Sequence, residues 1–312
     1  GNTTYNYAGN TSQIILSNGN ETIWKTQGYF GGVSTSKSGN LGYSASSSTP
    51  TNAVRYTISA DGKTLNIRSY ASNAQMMSLG IDAGNGRIVP PWRNDKTITT
   101  VTFTGYNSTP VKARDMDYAF YGLEALTSIN FANLDTSATT SFTFAFYGCV
   151  SLPRIDMSSL SFTNVASMQY MFYSCRSLAG PVGMDAAVDG VAPAIRFPSS
   201  MPKLTYIGYA FQYCLELTAV SLHDLGTNKS IKCNYAFSAC VGIKKVQLKN
   251  FYTTGGAEVA DSMFINCTGI TEVYLDTAFN ADNIKMVQLF DGCTSLTKLV
   301  AINSFNGSYT SY

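Results

Sequence analysis

The sequence predicts an α/β repeat fold. It is expected to be a right-handed solenoid with a parallel concave sheet, short helical or 3₁₀ turns on the convex side, and a β-rich N-terminal cap. Three observations support this prediction: a phenylalanine recurs at a nearly constant spacing, other apolar residues keep fixed distances from it, and two periodicities alternate within each unit. A constant spacing of about 20–50 residues is the sequence signature of stacked structural repeats.

The repeat unit is defined by a phenylalanine that follows Ala, Met or Leu. The successive intervals between these phenylalanines are 26, 26, 39, 26, 27 and 26 residues. Because one register runs through all of the units, each unit is predicted to form one coil of the solenoid. The phenylalanines are Phe120, Phe146, Phe172, Phe211, Phe237, Phe264 and Phe290, and three residues later stand Leu123, Cys149, Cys175, Cys214, Cys240, Cys267 and Cys293.

Each unit combines a strand pattern with a turn pattern. Pairs such as Ile129 and Phe131 alternate with polar residues, which predicts a strand with one buried face. Met116, Phe120 and Leu123 are spaced four and three residues apart, which is typical of a short helical or 3₁₀ turn. One unit cannot bury its apolar side alone, so about eight stacked coils are predicted to share a continuous core.

The long interval between Phe172 and Phe211 contains an insertion. Ile195 and Phe197 fit the strand pair of this coil, which places the extra residues in a loop near 179–192. Loops on a rigid scaffold often carry function. A tolerated surface insertion is the simpler interpretation, and both interpretations stay open.

Residues 1–97 are predicted to form the N-terminal cap, and residues 98–312 the solenoid. Segments 14–24 and 54–67 have the alternation of hairpins, with turns at Asn18-Gly19 and Asp61-Gly62. The stretch from Gly39 to Pro50 is a loop by composition. The exposed end of a solenoid core requires some cap. A separate small β element within residues 1–50 is the alternative.

The repeat resembles a known family. The motifs A-F-x-x-L-x-x-L at residues 119–126 and M-F-Y-S-C-R-S-L at residues 171–178 resemble those of BspA-like leucine-rich repeats. The resemblance covers about residues 98–299, and Pro91-Trp92 together with segment 56–67 resembles the start of such proteins. It implies a leucine-rich-repeat solenoid, an extracellular or cell-surface location and a role in adhesion. It implies no catalytic or ligand residues.

Composition argues against several functional classes. Charged residues are only 13% of the chain and the net charge is +2, so nothing favours binding to nucleic acid or an anionic membrane. No run of about 18 apolar residues occurs, so we expect no transmembrane segment. We expect that a signal peptide preceded Gly1 and was removed.

The residues that carry chemistry are sparse. His223 is the only histidine, and C-x-x-C, G-x-S-x-G and H-E-x-x-H are absent from the sequence. A histidine without a second histidine or paired cysteines is a poor metal or catalytic centre. We therefore expect no enzymatic activity, no cofactor and no metal. Six of the seven cysteines share the repeat position of Leu123, which predicts buried, reduced thiols rather than disulfides.

Tyrosines form a second register on the predicted convex flank. Neighbouring coils should stack them into aromatic ladders. Such ladders could bind a sugar or a protein, or they could seal the side of the solenoid by packing on one another. The positions two residues before the repeat phenylalanine are Tyr118, Phe144, Tyr170, Tyr209 and Tyr235, and those one residue after it are Tyr121, Tyr147 and Tyr173.

The predicted binding surface is the side of the sheet opposite the core. Residues eight, ten and twelve positions after the repeat phenylalanine should lie there, because strand side chains alternate. A protein partner is the first hypothesis, a glycan bound by the tyrosine flank or the inserted loop is the second, and a structural spacer is the third. A monomer is expected. The candidate residues are Asn130, Arg154, Asp156, Ser221, His223, Lys245, Gln247, Lys249, Glu272, Tyr274 and Asp276.

Overall fold

The computed structural model describes residues 4–6, 13–17, 21–23, 37–44, 53–76, 78–80, 88–225, 231–250, 260–276 and 288–302. Secondary structure within these residues consists of strands, with no helix. The strands are β1 (Thr4–Asn6), β2 (Gln13–Ser17), β3 (Glu21–Ile23), β4 (Lys37–Asn40), β5 (Gly42–Ser44), β6 (Val54–Ile58), β7 (Thr64–Ser69), β8 (Ala74–Met76), β9 (Thr100–Thr104), β10 (Val111–Lys112), β11 (Ser128–Asn130), β12 (Leu134–Asp135), β13 (Ile155–Asp156), β14 (Gly180–Gly183), β15 (Ile195–Arg196), β16 (Leu217–His223), β17 (Lys245–Lys249), β18 (Glu272–Asp276) and β19 (Lys298–Ile302).

The strands form four sheets. The orders are β1-β2-β3, β12-β10-β8-β5, β11-β9-β7-β6-β4 and β13-β15-β14-β16-β17-β18-β19. All pairs in the seven-stranded sheet are parallel, which agrees with the predicted stacking of coils. The face of these sheets that points away from the buried core is called the outer sheet face below.

The N-terminal region continues the repeat sheet. β6 and β7 form the predicted hairpin, with Ile58 opposite Leu65, and β7 then pairs in parallel with β9. β2 and β3 also pair antiparallel as predicted, although their turn at Asn18-Gly19 lies outside the described residues. The loop prediction is wrong for residues 39–44, because β4 pairs with β6 and β5 with β8. Long-range pairing overrides the local turn composition there.

The predicted helical turn before and after each repeat phenylalanine is wrong. Residues two positions before and two positions after it have positive φ in every coil, for example 56° at Tyr118 and 72° at Gly122. The Ala119 N–H bonds to Met116 within the coil, whereas the flanking N–H groups of Tyr118 and Phe120 bond to carbonyls of the next coil. A helix needs continuous negative φ and i−4 bonds. The segment is instead a series of turns that hydrogen-bond from coil to coil.

The repeat phenylalanines form one stacked column through the core. Phe120, Phe146, Phe172, Phe237 and Phe264 are fully buried, as predicted. Their ring centroids are 4.7–5.8 Å from those of the neighbouring coils along the column that ends at Phe290. Burial of these aromatic rings and of the strand residues next to them supplies the main stabilising contribution.

Pro153 interrupts the repeat sheet. In other coils the N–H seven residues after the phenylalanine donates to the preceding coil, as from Thr127 to Thr99 and from Lys244 to Thr218. Pro153 occupies this position and has no N–H to donate. β11 and β13 accordingly belong to two different sheets.

The insertion adds both a strand and a hairpin. Gly180–Gly183, which the sequence predicts as loop, forms β14 and pairs with β16. Ile195 lies in β15, which is inserted between β13 and β14. Val182 is fully buried, so its apolar side chain and backbone pairing place this segment in the sheet. Residues 184–194 connect β14 to β15 and are called the inserted hairpin below.

Candidate partner-binding surface

The parallel register of β16 to β19 places polar side chains in rows on the outer sheet face. Ser221 pairs with Gln247 and Gln247 with Tyr274, so these three half-buried residues form a row across three strands. Lys245 pairs with Glu272 in the row beside it. The core positions between these rows, including Val246, are buried. The alternation predicted from the sequence is therefore correct on these strands.

The backbone register also places His223, Lys249 and Asp276 in line on β16, β17 and β18. Lys249 pairs with both of the others, so the structure brings together all of the predicted residues from Ser221 onward. His223 Nδ1 lies 2.9 Å from Asp224 Oδ2. A hydrogen bond from Asn250, together with His223, lowers the pKa of Asp224 below its ordinary value. The ionised Asp224 therefore balances the positive charge at this end of the strands.

The three N-terminal candidates do not join this surface. Asn130 lies in the other sheet, and its side-chain oxygen accepts the N–H of Ala132. Asp156 Oδ1 likewise accepts the N–H of Ser158, while Asp156 Oδ2 lies 3.5 Å from Arg196. Arg154 precedes β13 and is exposed. Asn130 and Asp156 thus hold the turns that end their strands, which is a structural role that short polar residues often have.

Tyr274 is the centre of the charged part of the surface. Its hydroxyl donates to Glu272 Oε2 at 2.7 Å and accepts from Lys298 Nζ at 2.8 Å. The hydrogen bond with Tyr274 raises the pKa of Lys298 above its ordinary value. Lys245 Nζ lies 5.6 Å and Lys298 Nζ 5.0 Å from the centre of the Tyr274 ring. Lysines placed against a tyrosine ring in this way gain from cation–π attraction.

Sequence reasoning missed three residues at this surface. Lys298 occupies the same repeat position as Lys245, so the register could have identified it. Asp185 and Asp189 come from the inserted hairpin. Asp189 Oδ2 is 2.9 Å from Lys245 Nζ, and Asp185 Oδ1 is 3.7 Å from His223 Nε2. The Asp189-Gly190 pair is a hairpin-turn signal, but no local pattern indicates which distant side chains it reaches.

The tyrosine ladders form as predicted. Tyr121, Tyr147 and Tyr173 stack with centroids 4.7 Å apart and interplanar angles of 4° and 1°. The Arg93 guanidinium lies 4.7 Å from the Tyr121 ring centre and covers one end of this column. A parallel column runs through Tyr118, Phe144, Tyr170, Tyr209 and Tyr235. Inside each column the faces of neighbouring rings contact one another.

The described residues offer no other recognised chemistry. They contain no cluster of three or more His, Cys, Asp or Glu side chains suited to a metal ion. Within the same ranges no helix has the length and apolar character needed to cross a membrane. All seven cysteines are free and buried, and burial raises the pKa of Cys240 to about 12 and that of Cys293 to about 11.

Two family models match the sequence, and their matches meet at the inserted hairpin. The BspA type leucine rich repeat region, in six copies, matches residues 195–311. A Mycoplasma protein of unknown function, DUF285, matches residues 96–191. No curated protein matches the chain.

Two solved bacterial structures are similar to parts of the chain. One is a leucine rich cell surface protein from Faecalibacterium prausnitzii, at 15% identity and a TM-score of 0.21, with 84% of this chain and 97% of that chain covered. Another is a leucine-rich repeat protein from Eubacterium ventriosum, at 16% identity and a TM-score of 0.27, with 85% of each chain covered. The repeat register agrees with the family match, and together they identify residues 195–311 as a BspA-type leucine-rich repeat region.

Proposed function

We propose that the chain is a cell-surface binding scaffold that docks a protein partner on the outer sheet face of β16 to β19, without catalysing a reaction. The rows of polar side chains on that face carry the proposal. The buried positions stay apolar from coil to coil, whereas the half-buried outer row changes from Ser221 through Gln247 to Tyr274. A scaffold that keeps its core and varies one surface is suited to specific recognition.

The chemistry of the surface favours a protein partner. Tyr274 offers an aromatic side chain flanked by Lys245 and Lys298, and tyrosine is among the residues that are enriched in protein interfaces and their hot spots. Lys249 and Glu272 add charges of both signs, and charge complementarity of this kind sets the register and association rate of a complex.

The test is a binding screen against a panel of purified extracellular-matrix proteins by surface plasmon resonance. The parent chain should bind at least one panel member. A variant with Lys249→Ser, Glu272→Ser and Asp276→Ser should fold normally and lose binding at least about tenfold, because each lost interfacial charge contact contributes roughly 1 kcal/mol or more. Lys245 is left unchanged, since it also contacts the inserted hairpin.

The matched control is Glu124→Ser, Arg176→Ser and Glu216→Ser. These exposed residues stand four or five positions after the repeat phenylalanine, outside the rows, and their replacement changes the net charge by the same amount. The control should bind like the parent. If the folded Lys249→Ser, Glu272→Ser, Asp276→Ser variant binds with the same affinity as the control and the parent, the partner binds elsewhere. A parent that binds no panel member would favour a structural spacer.

A glycan is the weaker alternative on the tyrosine flank. Sugars stack on exposed ring faces, whereas Tyr147 is covered on both faces by Tyr121 and Tyr173 at 4.7 Å. A glycan array run beside the protein panel tests this alternative directly.

A further inference from the structure

The inserted hairpin has a well-defined turn. Val188 and Val191 exchange two backbone hydrogen bonds of 2.9 Å, and the residues between them, Asp189 and Gly190, have φ of 48° and 80°. Positive φ at both central residues is the type I′ geometry that Asp-Gly sequences favour. The tip of the insertion is therefore a preorganised two-residue turn.

The hairpin lies on the outer sheet face. Val188 is only 5% exposed, and its Cγ2 lies 2.7 Å from the place where a Cβ on Gly183 would stand. Gly183 pairs with Ser221, on the side of β14 opposite the buried Val182. The glycine thus leaves a notch in the sheet surface, next to Ser221, that the Val188 side chain fills.

Two acidic side chains extend the contact across neighbouring strands. Lys245 Nζ donates to both carboxylate oxygens of Asp189, at 2.9 and 3.1 Å, from β17. On β16, His223 Nε2 lies 3.7 Å from Asp185. The hairpin therefore covers part of the same surface that contains the predicted binding residues.

The attachment of the hairpin is shallow. The side chains of Asp185 and Asp189 are 63% and 53% exposed, and Val191 is 49% exposed. Met184, Pro193 and Ala194 at the base of the hairpin are buried, whereas Val188 is the one buried residue among 185–192, so the shallow attachment is that of the tip. Exposed ion pairs contribute little, about 0–1 kcal/mol each. Segments with few buried apolar contacts open at low free-energy cost.

We propose that the inserted hairpin is a built-in competitor for the outer sheet face. The hairpin occupies a patch of the sheet through Asp185, Val188 and Asp189. The patch itself is formed by Gly183, Ser221, His223 and Lys245. A partner segment with the same chemistry as the hairpin binds to this patch. That segment carries a branched apolar side chain flanked by carboxylates. The inference rests on the proposed function, because it names the chemistry of the partner and the element that the partner displaces.

The first test measures whether the patch becomes accessible. Ser221→Cys introduces a thiol beside the notch, and the seven native thiols are buried, so the unsubstituted chain is the reaction blank. N-ethylmaleimide labelling, followed by mass spectrometry, gives the reaction rate of the introduced thiol. Adding Asp185→Asn and Asp189→Asn should raise this rate about three- to tenfold, which corresponds to losing the exposed ion pair of Asp189 with Lys245 and the contact of Asp185 with His223.

A second variant opens the hairpin without changing charge. Gly183→Ala places a methyl group against Val188 and should raise the same rate. Thr102→Cys is the matched control, since it is also half-buried on an outer face but lies in β9 of another sheet. The labelling rate of this control should be equal with and without the hairpin substitutions. If neither hairpin variant changes the labelling rate of the Ser221→Cys thiol, the proposal is overturned.

The third measurement identifies the partner chemistry. A cyclised peptide with the sequence of residues 184–194, at millimolar concentration, should slow labelling of the Ser221→Cys thiol in the protein that also carries Asp185→Asn and Asp189→Asn. The same peptide with both aspartates replaced by asparagine should not. Absence of protection, or equal protection by the two peptides, overturns the proposal. These results require no natural partner, so they are independent of the matrix-protein screen.

Discussion

The Cys240 thiol donates a hydrogen bond of 2.9 Å to the backbone carbonyl of Phe211 in the preceding coil. All six repeat cysteines make the equivalent bond, at 2.9–3.2 Å, to the phenylalanine one coil earlier. Leu123 occupies this position in the first coil, where no repeat phenylalanine precedes it. The cysteine is thus more than a small apolar residue, because its weak donor links one coil to the next.

Thiol titration should reflect this burial. We expect almost no reaction of the native protein with Ellman's reagent at pH 8, and seven reactive thiols after unfolding in guanidinium. Burial raises the pKa of Cys240 to about 12, so its thiolate is nearly absent at pH 8. Disulfides recovered from protein purified under blocking conditions would contradict the free-thiol ladder.

Phe172→Ala should be strongly destabilising. Its ring is fully buried and stacks at 5.1 Å on Phe146 and 5.8 Å on Phe211. Removal leaves a cavity in the middle of the column and should lower the free energy of unfolding by roughly 3–5 kcal/mol. Urea unfolding followed by circular dichroism measures the change. Phe290→Ala is the comparison at the half-buried end of the column, and a smaller loss is expected there.

The turn positions predict a stabilising substitution. Ala239 has a φ of 57°, at the position where Gly122, Gly148 and Gly292 stand in other coils. Ala239→Gly should remove backbone strain and raise stability by about 1 kcal/mol. Gly148→Ala is the reciprocal change, because its added Cβ would meet Gly122 Cα at an ordinary 3.8 Å and the cost arises from φ alone. Opposite shifts in the thermal midpoint are expected, and a shift of the same sign for both variants would refute this account.

Alkaline pH should weaken the tyrosine column. Burial, followed by the neighbouring Tyr121 and Tyr173 phenols, raises the pKa of Tyr147 above its ordinary value of 10.0. The folded state therefore holds this proton more tightly than the unfolded chain, so stability falls as the pH rises above about 10. Tyr147→Phe should lose less stability than the parent between pH 9 and pH 11, measured by urea midpoints. The difference in urea midpoint between Tyr147→Phe and the parent at pH 7, where the phenol is neutral, gives the packing contribution of the hydroxyl group.

Much of the repeat architecture could be predicted from local sequence patterns. The alternation around Val246 and Leu248 predicts which strand face is buried, and the structure confirms it, because a side-chain period of two follows from extended backbone alone. The phenylalanine register likewise identifies the stacked column. The sequence analysis did not single out Pro153, although a proline at a donor position removes a sheet hydrogen bond wherever it stands.

The tertiary structure decided the features that depend on distant partners. The spacing of Met116, Phe120 and Leu123 suits a helical turn, yet hydrogen bonds to the next coil impose positive φ at Tyr118 instead. The Asp189–Lys245 contact joins residues 56 positions apart, and no periodicity encodes where a hairpin folds over a sheet. The sequence by itself therefore determined the buried face of the strands and the positions of the stacked phenylalanines. Contacts that exist only once the coils have stacked set the route of the backbone between coils. They also place the inserted hairpin over the outer sheet face.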